Sequence, residues 1–98
     1  MARHEMDLDA AETIGLAALA FLAEDGVRLN SFLSSTGLSL GQLRDEAAAP
    51  HTLLAVLEHL AEDESLLLVF AAGAGCAPEA IARARAVLAA EAERRRRG

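Results

Sequence analysis

Ninety-eight residues suffice for one domain with a single hydrophobic core and leave no room for a second. Apolar residues make up 53% of the chain, Trp and Tyr are absent and β-branched residues are few, a composition that argues against a sheet and for an all-α fold. The net charge of −6 is uneven: residues 1–82 carry −10 (three Arg, thirteen acids) and residues 83–98 carry +4 (six Arg, two acids), so the body repels phosphate backbones and general nucleic-acid binding is disfavoured.

Six short helices are expected in chain order. After a lead-in over residues 1–8, the first runs from Asp9 to Asp25, with Leu8, Ala11, Ile14, Leu16, Ala18, Leu19, Phe21 and Leu22 on a broad inward face. Asp7 or Asp9 caps it, and Gly26 follows its end. The second spans Val27 to Thr36 on a Leu29, Phe32, Leu33 stripe and stops at Gly37. Ser39 with Gln42 three positions on forms a capping box for the third, in which Leu40 and Leu43 face inward. Pro50 opens the fourth, which reaches Glu62 with Leu53, Leu54, Val56, Leu57 and Leu60 inside. The fifth covers Glu64 to Ala74 and contains the run Leu66-Leu67-Leu68-Val69-Phe70, which by itself would also suit a buried strand. Gly73 and Gly75 close it. Pro78 opens the sixth, which runs to Arg95, with Ala80, Ile81, Ala84, Val87, Leu88 and Ala92 on its apolar stripe. The helical domain is thus 9–93, and 94–98 is an Arg-rich tail.

Met1–Glu5 leads into acids rather than an apolar segment, so no secretory leader is expected. The longest apolar stretches, Ile14–Ala23 and Leu66–Ala72, fall short of the ~20 residues a membrane helix requires, so no membrane insertion is expected. Cys76 stands alone, which excludes an internal disulfide; a buried, inert thiol in a reducing cytoplasmic setting is expected.

Displacing the chain by 38 residues superposes Leu22-Ala23-Glu24-Asp25 on Leu60-Ala61-Glu62-Asp63, Leu29 on Leu67, Phe32 on Phe70 and Gly37 on Gly75. Residues 12–49 and 50–87 share eleven identities at this offset. Each copy reads long helix, acidic corner, short helix with Phe, glycine stop, third helix. Two such three-helix units would each expose an apolar face that stacking would bury.

The residues most suggestive of chemistry have structural explanations. Glu24-Asp25 and Glu62-Asp63-Glu64 resemble catalytic carboxylate pairs, but each Asp sits between helices, where it caps the second. His51 and His59 lie eight apart on one helix, and His59-Leu60-Ala61-Glu62 is the reverse of a di-iron spacing. His4 lies near the terminus, and no cofactor or metal is expected. The stretch Phe32–Ala48 has the glycine turn and capped second helix of a helix-turn-helix, but its would-be reading helix offers Gln42 and Arg44 beside Asp45 and Glu46. Arg94, Arg95, Arg96 and Arg97 complement a helix C-terminus or contact a partner or anion.

The acidic corner, Phe32-Leu33-x-x-Thr36-Gly37-Leu38, Leu43-Arg44, Leu53-x-x-Val56-Leu57, Asp63-Glu64-x-Leu66-Leu67 and Phe70 together resemble an alphaproteobacterial family, domain of unknown function 3572, over residues 9–90. The resemblance implies a bacterial, cytoplasmic, all-helical protein and carries over no catalytic or ligand residue. Apolar surface on short helices without site chemistry predicts a small protein-interaction or adaptor module, with an unidentified protein partner or a homodimer. The alternative is a nucleic-acid-associated regulator using the corner near Gly37 and the Arg tail. An enzyme is not expected.

Overall fold

A computed structural model describes residues 6–98; His4 and the first five residues of the lead-in lie outside the described residues. Six helices make up the fold: α1 (Leu8–Ala23), α2 (Gly26–Thr36), α3 (Leu40–Asp45), α4 (Pro50–Ala61), α5 (Glu64–Ala74) and α6 (Pro78–Arg97). The fold is all-α, with no strand among the described residues, and the Leu66–Phe70 run is helical.

The boundaries follow from the caps. Asp7 accepts a hydrogen bond from the Ala10 amide at 2.8 Å, which starts α1 at Leu8 rather than Asp9. Asp25 does not end α1; its carboxylate accepts from the amides of Val27 (2.9 Å) and Arg28 (3.3 Å) and opens α2. Asp63 does the same for α5 through the Leu66 amide at 3.1 Å. Ser39 and Gln42 complete the capping box of α3. Gly37 and Gly75, the two positive-φ residues among those described (77° and 70°), terminate α2 and α5. At Gly75 the chain closes as a Schellman turn, Gly75 N–H donating to Ala72 and Cys76 N–H to Ala71.

The core forms where α1 and α4 meet, and α6 packs along both. Leu22, Phe32, Leu53, Leu57, Leu60, Ile81 and Leu88 are fully enclosed. Each aliphatic side chain so buried stabilises the fold by about 1.5–3 kcal/mol before entropy is counted. Leu8 borders Val87 and Ala90, while Pro50 borders Ala92, so the starts of α1 and α4 both lie beside the last part of α6, which runs back against them. Leu40, Cys76 and the end of α6 depart from expectation. Leu40 is exposed, because α3 has only six residues and anchors itself through Leu43 alone. Cys76 is half-buried, since it follows the Gly75 turn at the edge of the core. The sixth helix, expected to end at Arg95, continues to Arg97.

The 38-residue offset recurs in the helix boundaries. Shifted by 38, the end of α1 falls on the end of α4, both ends of α2 fall on those of α5, and the start of α3 falls on that of α6. The aspartate caps and left-handed glycines correspond as well. The units then interlock reciprocally. Phe32 of the first stacks edge-on against His59 of the second (5.5 Å), and Phe70 of the second, the counterpart of Phe32, packs on Phe21 of the first, the counterpart of His59 (5.4 Å). A contact repeated with roles exchanged is the mark of a two-fold arrangement. Gly15 and Leu53, which also correspond, touch each other at the α1–α4 contact, where a Cβ on Gly15 would come within 2.9 Å of the Leu53 Cβ. The symmetry fails at the third helix, where α6 has 20 residues and α3 six.

Candidate docking trough

The residues singled out in the sequence do not gather into one place. Asp25 and Asp63 are spent as helix caps. His51 pairs with Glu46 at 3.1 Å on the surface. His59 lies 3.3 Å from the Ser35 hydroxyl, which itself donates to the Phe32 carbonyl; the pair bridges α2 and α4. No cluster of three or more potential metal ligands occurs among the described residues.

Arg94–Arg97 form the last turn of α6, where their charge opposes the negative end of the helix dipole. Arg94 and Arg95 both bind Glu91, the latter through Nε at 2.7 Å, and Arg96 binds Glu93. The hydrogen bond from Arg94, then that from Arg95, holds the Glu91 carboxyl below its usual pKa against a smaller opposing effect of desolvation. The hollow beside this turn, about 640 Å³, is lined only by residues of the α6 end and so has no second wall.

A trough with two walls lies elsewhere, between α1 and α5. It encloses about 440 Å³ and is lined by Ala17, Ala20, Phe21 and Glu24 from α1 and by Val69, Phe70, Gly73 and Ala74 from α5. The Phe21–Phe70 pair spans both walls, and the Arg28 guanidinium covers the Phe21 ring at 4.3 Å from its centroid. Glu24 is the one acid in the lining, and it makes no ion pair among the described residues. Val69 on the rim is 54% exposed, and its neighbour Leu68 48%. Leu16, which the helical stripe placed inside, is 44% exposed and shares the outer face of α1 with Ala20, one turn on.

The internal repeat supplies a control for this surface. The positions equivalent to the trough lie along the α2–α4 seam; Ala17, Glu24 and Phe70 keep their residue type there as Ala55, Glu62 and Phe32, and the other five are polar. Ala20, Phe21, Val69, Gly73 and Ala74 are replaced by Glu58, His59, Ser31, Ser35 and Thr36. Outward positions Leu68 and Ala72 correspond to Asn30 and Ser34. The seam is closed by the Ser35–His59 contact, whereas the trough is open and apolar. α5 is apolar almost all round; Phe70 and Ala71 are buried and Leu66 and Leu67 half-buried against the core, while Leu68, Val69, Ala72, Gly73 and Ala74 are exposed. Sequence reasoning missed these residues, although the signal was present at the positions where the two copies differ.

No single helix among the described residues is long and apolar enough to cross a membrane. Comparison with curated proteins and with solved structures finds no match. The family described as Protein of unknown function (DUF3572) matches residues 8–91, from the start of α1 to the last third of α6. The chain, nearly all of whose helical domain the match covers, belongs to that family.

Proposed function

We propose that this protein is a small interaction module whose docking surface is the α1–α5 trough. One observation carries the reading: of two surfaces related by the internal repeat, one is polar at five of eight lining positions and bridged by Ser35 and His59, and the other is apolar at those five and open. A soluble helix with no partner on its outer face is expected to carry polar residues there, as α2 does with Asn30, Ser31, Ser34 and Ser35. The same positions of α5 hold Leu68, Val69, Ala72 and Gly73. A contiguous apolar surface of this kind marks a place where something binds.

A cytoplasmic location in an alphaproteobacterial cell goes with this proposal, supported by the single, unpaired Cys76 and by the family resemblance. The nucleic-acid alternative has weaker support: three of the four terminal arginines face Glu91 or Glu93, and α3 is a single short turn unit of six residues. The test is affinity capture from source-cell extract with Val69→Asp, using Ser31→Asp at the equivalent position as control. A protein recovered with the wild type and with Ser31→Asp, but lost with Val69→Asp, is the expected result. Identical partners for all three proteins would count decisively against the trough.

A further inference from the structure

The shape and charge of the trough define its occupant. Its two walls are helices, with small residues, Ala17 and Ala20 on one side and Gly73 on the other, that admit close approach of a third helix at ordinary 8–10 Å spacing. The described residues form no strand, so the trough offers no edge to which an extended peptide could add. Its volume of about 440 Å³ is of the size that receives a few large side chains. The charged groups the structure places at the trough are Glu24 in its lining and Arg28 over the Phe21 ring, and residues 1–82, which supply both walls, carry −10 in total (three Arg against thirteen acids).

That charge discriminates between occupants. A second copy docked through the same surface by two-fold symmetry would bring one acidic body against another. The basic helix of a second copy does not fit either: α6 commits Ile81, Ala84 and Leu88 to its own core and half-buries Val87 against it, so that past Pro78 its exposed residues are alanines and charged residues. A basic partner meets neither obstacle, and complementary charge both speeds its encounter and selects it over acidic competitors.

Resting on the interaction reading above, we propose that the trough binds an amphipathic helix of another protein, with large apolar anchors one turn apart on one face and a flanking Lys or Arg that pairs with Glu24. Two synthetic 18-residue helical peptides test this. Both carry the same Leu/Phe stripe at i, i+3, i+4 and i+7; one has a Lys/Arg-rich polar face, the other a Glu-rich one. Each is titrated into the ¹⁵N-labelled full chain.

The expected result is that the basic peptide binds more tightly, shifting the amides of Ala17–Glu24 and Val69–Ala74. Glu24→Gln then weakens it about 3- to 5-fold, the worth of one partly exposed ion pair, without weakening the acidic peptide. Val69→Asp, or Gly73→Leu should the first variant unfold, abolishes the shifts. Equal binding of both peptides in the trough would overturn the proposed basic partner while leaving the docking surface standing. Absence of trough shifts with either peptide would overturn both. A dimer in sedimentation equilibrium that Val69→Asp dissociates would replace the foreign helix by a second copy.

Discussion

Phe70 lies against Phe21 with ring centroids 5.4 Å apart, and the same relation, displaced by 38 residues and with the units exchanged, joins Phe32 to His59 at 5.5 Å. Each half of the molecule thus supplies one aromatic anchor to the other, and both anchors are buried. Neither three-helix unit completes its core alone. Phe32→Ala and Phe70→Ala are therefore each expected to cost about 3–5 kcal/mol, most of the stability of a domain this size. Both should abolish a single cooperative urea transition rather than produce two. A variant that melted in two separate steps would show the halves to be independent.

The α1–α4 contact depends on Gly15. A methyl group there meets the Leu53 Cβ at 2.9 Å, an atom fixed to the backbone that has no rotamer by which to withdraw. Gly15→Ala gains up to ~1 kcal/mol of helix propensity and loses about 1–3 kcal/mol to overpacking. Net destabilisation is expected by chemical denaturation. Gly73→Ala, also within a helix but with nothing within 4 Å of the added methyl, should be stabilising by up to ~1 kcal/mol. The opposite signs of the two substitutions are the measurement.

The caps were the most legible part of the chain. Asp25, Ser39 and Asp63 act through bonds to amides within three positions, Gly37 and Gly75 through their own left-handed backbone, and Pro50 and Pro78 through the fixed backbone of a first helical turn, so a linear reading places them well, and with them all six helices. Burial was less legible because it depends on which helix arrives opposite. Leu16 and Leu40 fit an inward stripe but found no helix to cover them. The sixth helix was expected to end at Arg95, yet Glu91 and Glu93, one turn back, pair with Arg94, Arg95 and Arg96, and α6 continues to Arg97. The trough was hidden for a different reason. Identities reveal a repeat, whereas the trough is set by positions where its copies have diverged.

Helix-end substitutions check the equivalence of the two corners. Asp25 caps two amides and Asp63 one, so Asp25→Ala should lower stability by about 1–2 kcal/mol and Asp63→Ala by about 1 kcal/mol. Gly37→Ala and Gly75→Ala place a methyl in open space, and their expected cost of about 1–2 kcal/mol each is purely conformational. Thermal denaturation of the four single variants measures these values. Partner binding at the trough should survive all four at temperatures where the protein remains folded.

The end of α6 gives the fold an acid-sensitive element. Glu91 is held below its usual pKa first by the hydrogen bond from Arg94 and then by that from Arg95, so the folded state favours its ionised form more than the unfolded state does. The stability this supplies is complete above the unfolded-state pKa, near 4.5, and is lost as pH falls through the lower folded-state value. Glu91→Gln should be less stable than the wild type at neutral pH, and the two denaturation curves should converge in acid. Arg94→Ala removes the larger support and should narrow the pH interval over which the loss occurs. Unfolding by urea from neutral pH down to about pH 2 provides the comparison. A Glu91→Gln deficit that stays constant across this range would mean that the carboxylate acts through packing rather than through its charge.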